Sequence, residues 1–223
     1  MKYRKAVKVI LSALALTFSA NAGALNFVTN GSFESPDISV DPIGCIICSG
    51  SWAVFDSIPG WDTLNGAGIE IQESGTVVNA QHGDQYVELD SHPGGNSNSW
   101  MVQDIGGLTI GADYLLSFWY QPRTNNSGND NGIQVYWGDD QWGDLVFNIA
   151  NETTSTISDW TEYSLFLTAT NPNMFLGFSA VGQPNTLGGL LDNVSMVPEP
   201  ATLALFGMGL VGMGAITRRR KQA

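Results

Sequence analysis

The chain has 223 residues, with nine Lys and Arg against 21 Asp and Glu and a formal net charge of −12. Four of the basic residues fall within positions 2–8 and four within 218–221, so Arg123 stands alone between 25 and 197, a stretch that holds 20 of the carboxylates. Phosphate backbones are bound through Lys and Arg, so this body excludes nucleic acid as a partner, and its 173 residues suffice for one domain with a sizeable core.

Positions 1–24 have the layout of a secretory signal peptide. Lys2, Arg4, Lys5 and Lys8 precede an apolar run over 9–18, and Ala20, Ala22 and Ala24 offer cleavage after Ala22 or after Ala24. The run is too short to cross roughly 30 Å of hydrocarbon as a helix. Next come Cys45 and Cys48, the only cysteines. A zinc site would need more ligands than His82 and His92 supply, and the Gly, Pro and Ser flanks do not suggest a thioredoxin-like helix. In an exported chain a local disulfide pinning a loop is the expected reading.

From there the chain alternates short β-favouring runs with stretches rich in Gly, Asn, Asp, Ser and Pro. Strands are predicted over 51–55, 68–72, 85–90, 100–105, 114–121, 133–137, 145–149, 160–168, 174–180 and 190–197, with polar loops over 91–99 and 123–132. No segment sustains a 3.6-residue period. Val87 and Leu89 share one face against Tyr86, Glu88 and Asp90, and Ile133, Val135 and Trp137 oppose Gln134 and Tyr136. The nearly continuous apolar run at 114–120 predicts a central strand covered on both faces, with Trp119 and Trp137 in the core. The fold class expected is all-β, a two-sheet β-sandwich or jelly roll over 25–196, flanked by the signal helix and by a C-terminal transmembrane helix.

That last helix is read from positions 197–223. Val197, Pro198, Glu199 and Pro200 precede an uncharged Gly-rich stretch over 201–217, then Arg218, Arg219, Arg220 and Lys221. Such a stretch covers about 26 Å as a helix, the lower limit for spanning, and the basic cluster stays cytoplasmic. The order Pro-Glu-Pro, short apolar span, Arg cluster resembles the PEP-CTERM sorting signal. The resemblance implies an exosortase partner that removes the tail, transient residence in the inner membrane and periplasm, and delivery to the cell surface or matrix of a Gram-negative, exopolysaccharide-making bacterium.

Asn30-Gly-Ser-Phe-Glu34, Ile58-Pro-Gly-Trp61, the run from His82 to Asp90, that from Ile105 to Phe118 and Leu191-Asp-Asn-Val-Ser195 are, in order and spacing, similar to galactose-binding-like jelly rolls, including the DUF642 group and several carbohydrate-binding modules. That resemblance implies a structural calcium ion where the first strand meets the last, at Glu34 and Asp192. The alternative is that both carboxylates are solvated or hydrogen-bonded to backbone.

Sugars stack on exposed aromatic rings, with Asp, Asn, Gln and Glu accepting from their hydroxyls. Of seven tryptophans, Trp100, beside a Gly/Asn/Ser loop, and Trp142, in Gly-Asp-Asp-Gln-Trp-Gly, have the setting for this. Asp139, Asp140, Gln141 and Tyr120 are the candidate polar contacts. No G-x-S-x-G elbow is present, and nothing else demands an enzyme. The leading expectation is therefore a non-catalytic, carbohydrate-binding surface protein associated with exopolysaccharide. A charge- and calcium-dependent matrix protein without specific glycan binding is the alternative, and a small glycan-active enzyme a third.

Overall fold

A computed structural model describes residues 25–40, 43–93, 95–123, 131–149 and 159–199. The expected signal peptide, the membrane span and the Arg cluster lie outside them, as does most of the 123–132 loop. Among the described residues no helix is long and apolar enough to cross a membrane.

The described residues form thirteen strands: β1 (Ile47–Ser49), β2 (Trp52–Phe55), β3 (Ser57–Ile58), β4 (Trp61–Asn65), β5 (Ile69–Glu73), β6 (Gln85–Glu88), β7 (Trp100–Gly106), β8 (Asp113–Gln121), β9 (Gly132–Gly138), β10 (Asp144–Ile149), β11 (Thr161–Thr168), β12 (Asn173–Val181) and β13 (Leu190–Pro198). They make two antiparallel sheets, ordered β1-β2-β5-β6-β13-β8-β11 and β10-β9-β12-β7-β4-β3. The all-β two-sheet sandwich expected from the sequence is thus the fold. All ten predicted strands are present, with ends shifted by a residue or two. The three additional ones, β1, β3 and β4, are short and lie outside the predicted runs. β3 and β4 are joined through Pro59-Gly60, where Gly60 takes φ +87°, a turn conformation open to glycine at little cost.

The core lies between the sheets and follows the period of two. Leu116, Phe118 and Tyr120 of β8 point inward from the larger sheet, and Leu176 and Phe178 of β12 from the smaller. Phe118 meets Phe178 edge to face at 5.3 Å, joining the two layers. Each such ring, removed from water, contributes about 1.5–3 kcal/mol. The N-terminal segment closes the fold along β13: Phe27 N–H donates to the Met196 carbonyl at 2.8 Å and Val194 N–H to that of Gly31 at 2.8 Å. Cys45 and Cys48 are joined by a disulfide with Cα atoms 5.8 Å apart, which ties the preceding loop to the edge strand β1 that contains Cys48.

Of the two tryptophans expected in the core, one needs correction. Trp137 is buried, its Nε1–H donating to the Thr168 carbonyl at 2.9 Å. Trp119 is only half-buried, because it shares the outward face of β8 with Leu115 and Ser117. An apolar run longer than one face needs does not place every member inside.

Candidate functional site

In β7, Met101, Gln103 and Ile105 face the core, which leaves Trp100, Val102 and Asp104 on the outside of the smaller sheet. In β9, Ile133, Val135 and Trp137 face inward and Gln134 and Tyr136 outward. Between these strands runs β12, whose Gly177 stands opposite both Val102 and Tyr136. With no side chain at Gly177, the Trp100 indole lies across the strand and meets Tyr136 with ring centroids 4.1 Å apart and planes at 30°. Trp142 folds back from the β9–β10 turn onto Trp100, edge to face at 5.5 Å. Trp142 is 51% exposed and the other two rings are half-buried. Three aromatic side chains from two strands and a turn thus form one platform on an outer sheet face.

The polar residues around it divide. Asp140 is exposed, but its Oδ1 accepts from the amides of Trp142 (2.9 Å) and Gly143 (3.1 Å), so it builds the turn that presents Trp142. Asp139 and Gln141 are exposed in the same turn, and a shallow depression beside it is lined by Asp139, Asp140, Trp142 and Asp144. Asp62 of β4 and Asp104 share the outer face. Tyr120 does not belong: it is 1% exposed, and its hydroxyl donates to the Asn131 carbonyl at 2.7 Å inside the molecule. Its even position on β8 points it into the core. Tyr136 was missed, although its alternation with Trp137 already assigned it to the opposite face.

Glu34 and Asp192, 158 positions apart in sequence, meet at one loop. Asp192 Oδ2 accepts from the amides of Gln81 (2.8 Å) and His82 (2.9 Å). Glu34 Oε1 accepts from those of Asp84 and Gln85, both at 3.0 Å. Burial pushes Asp192 up to about 7, opposed by its backbone donors and reinforced by the Glu34 charge. Backbone strain gathers here: Asn30, Phe33 and Asn193 all have positive φ, between +49° and +58°. A cleft beside the loop is lined by Glu34, Asp37, Glu73 and Asp84. Among the described residues no group of three or more His, Cys, Asp or Glu stands in metal-binding geometry. A cation at this seam would therefore need backbone carbonyls and water to complete its shell.

A third constellation covers the outer face of the larger sheet. Glu70 and Glu88 stand directly opposite each other on β5 and β6, both fully buried. Gln72 Nε2 donates to both, Arg123 pairs with Glu88, and His92 Nδ1 lies 2.8 Å from Glu70. Burial pushes Glu88 up to about 8; Arg123 pulls it back down and Glu70 pushes it further up. The face read as polar in sequence is thus roofed by loops, which supply amides such as those of Val77 and Val78 to the Tyr86 hydroxyl.

Comparison with known proteins bears on the two parts of the chain separately. The Multifunctional-autoprocessing repeats-in-toxin of Vibrio vulnificus is 30% identical over 184 residues, 81% of this chain. Its counterpart in Vibrio cholerae is 29% identical over 148 residues, 65% of the chain. The chain spans about 3% of the length of each toxin. Among solved structures, the Stig cyclase FisC of Fischerella sp. TAU superposes with a TM-score of 0.50 at 16% identity, over 79% of this chain and 98% of that one, and shares the fold. At the other end, residues 197–221 match the PEP-CTERM protein-sorting motif. The β-sandwich therefore carries at its C-terminus the PEP-CTERM motif of a secreted protein sorted to the cell envelope or surface of a Gram-negative bacterium.

Proposed function

We propose that the sandwich binds carbohydrate without catalysing its cleavage, on the face formed by Trp100, Tyr136 and Trp142, and that the exported protein associates through it with its host's exopolysaccharide. The observation that carries this reading is the platform itself: three rings joined at centroid distances of 4.1 and 5.5 Å, the outermost 51% exposed. Exposed aromatic faces in contact are costly to leave to water unless something covers them, and acceptors at Asp62, Asp104, Asp139 and Asp140 suit sugar hydroxyls. The two carboxyls that burial pushes upward, Glu88 and Asp192, belong to the larger sheet, away from this face, which supports binding rather than acid catalysis.

Removal of the signal peptide at Ala22 or Ala24 and of the tail by an exosortase completes the reading. A structural calcium is part of it, with Glu34 and Asp192 as its side-chain ligands. Two carboxylates at one loop, one of them raised by burial, form a pocket of negative charge that a divalent cation relieves. The test of binding is retention of the protein on immobilised host exopolysaccharide and on a glycan array. Trp142→Ala should abolish retention while leaving the fold intact; equal retention by wild type and variant would reject the platform as the site.

A further inference from the structure

Just beyond β6, Asp90 and Asn98 face each other across an isolated antiparallel bridge. On either side Ser99 N–H donates to the Leu89 carbonyl at 2.7 Å and Ser91 N–H to that of Ser97 at 2.8 Å. Directly opposed residues present their side chains on one face, with Cβ atoms about 4.5–5.5 Å apart. Asp90 is fully buried. Its Oδ2 accepts from the amides of Asn185 and Leu187, both at 3.1 Å. Its Oδ1 and the Oδ1 of Asn98 are also buried, yet no protein donor reaches either. Turning the Asn98 amide over does not help, because its Nδ2 already donates to the Gly182 carbonyl at 2.9 Å, and reversal would set oxygen against oxygen.

Two buried acceptors on one face with no donor between them call for a positive partner. The neighbouring basic side chains are committed elsewhere, Arg123 to Glu88 and His92 to Glu70. The loop that grips Asp90 is held under strain, with the β-branched Thr186 at φ +70° between the two donating amides.

We propose that Asp90 Oδ1 and Asn98 Oδ1 are side-chain ligands of a buried, oxygen-coordinated calcium ion that ties the 90–99 turn to the 182–189 loop. The donors are hard oxygens with no sulfur or imidazole, the set that suits calcium, and backbone carbonyls and water supply the remainder of its six to eight ligands. The ion is separate from the one assigned to Glu34 and Asp192. Its place is also functional, since Asn98 lies two residues before Trp100 and the turn it closes sets where that indole begins its course over Gly177.

Crystals of the full chain grown with terbium in place of calcium test this directly. The expected result is an anomalous peak about 2.3–2.6 Å from both oxygens; density without anomalous signal, a water donating to both, overturns the site. In solution, calcium calorimetry should find one equivalent fewer in Asn98→Ala than in wild type, with that equivalent kept in Asp192→Asn. Equal stoichiometry in Asn98→Ala and wild type overturns it as well. Loss confined to Asp192→Asn would leave only the Glu34–Asp192 reading standing.

Discussion

Trp100 lies flat on the outer sheet only because position 177 is glycine: a Cβ there would stand 2.6 Å from the indole Nε1. Gly177 is therefore expected to act on binding through shape. Gly177→Val should lift Trp100 from Tyr136 and weaken glycan retention at least tenfold, while the melt falls by only a few degrees, since a strand accepts a β-branched residue readily. Retention unchanged in a folded Gly177→Val protein would show that the ring arrangement is not what binds.

The tryptophans should separate by burial. Trp137→Ala removes a core ring and its hydrogen bond and should cost about 3–5 kcal/mol. Trp119→Ala and Trp100→Ala, at half-buried positions, should cost clearly less, and Trp142→Ala, at 51% exposure, least of all. Chemical denaturation of the four variants checks the order. A Trp142→Ala loss as large as that of Trp137→Ala would contradict the exposure.

Calcium should raise the melting temperature. Ligand linkage gives about 2.7 kcal/mol at a hundredfold excess over the dissociation constant, which is several degrees for a domain of this size. Scans with calcium and with chelator measure it. The shift should shrink in Asp192→Asn and in Glu34→Gln; a shift of full size in both variants would remove those two residues from the ligand set.

In chelator the stability should fall as pH rises from about 5 to 9. Glu88 and Asp192 have folded values pushed to about 8 and about 7 from ordinary values of 4.5 and 3.8, chiefly by burial. Across that window the folded state binds protons the unfolded chain has released. The contribution is fully present below the unfolded values and lost as pH climbs through the folded ones. Glu88→Gln should flatten the upper part of the profile. A stability that instead rises toward pH 8 would mean that Arg123 holds Glu88 ionised throughout.

Processing has its own check. Intact mass of the protein from the host's envelope or medium should correspond to a chain that begins after Ala22 or Ala24 and lacks Arg218, Arg219 and Arg220. Mature protein still carrying those arginines would refute exosortase removal of the tail.

Much of this is legible in the sequence. The ten strands followed from period-two alternation and Gly/Asn/Asp/Pro breaks, and the sorting motif from the order of three chemically distinct pieces. Trp142 could be placed outside because Asp-Asp-Gln and glycines surround it. What failed was the assignment of faces within apolar strands. Tyr120 looked available and Trp119 looked buried, yet one residue of register puts Tyr120 under the sheet and Trp119 over it.

Sequence by itself determined the class of fold, the acidic body with its single guanidinium, and the sorting motif, because local pattern and composition carry that information. Only the tertiary structure decided which outer face is covered. Loops roof Glu70, Glu88 and Asp90 on the larger sheet, while the smaller one leaves Trp100, Tyr136 and Trp142 partly open to solvent. Alternation distinguishes two faces of a strand without saying what packs on either. That is set by pairings such as Gly177 opposite Tyr136 and Asp90 opposite Asn98, and by loops distant in sequence, such as the one bearing Asn185 and Leu187 that closes over Asp90.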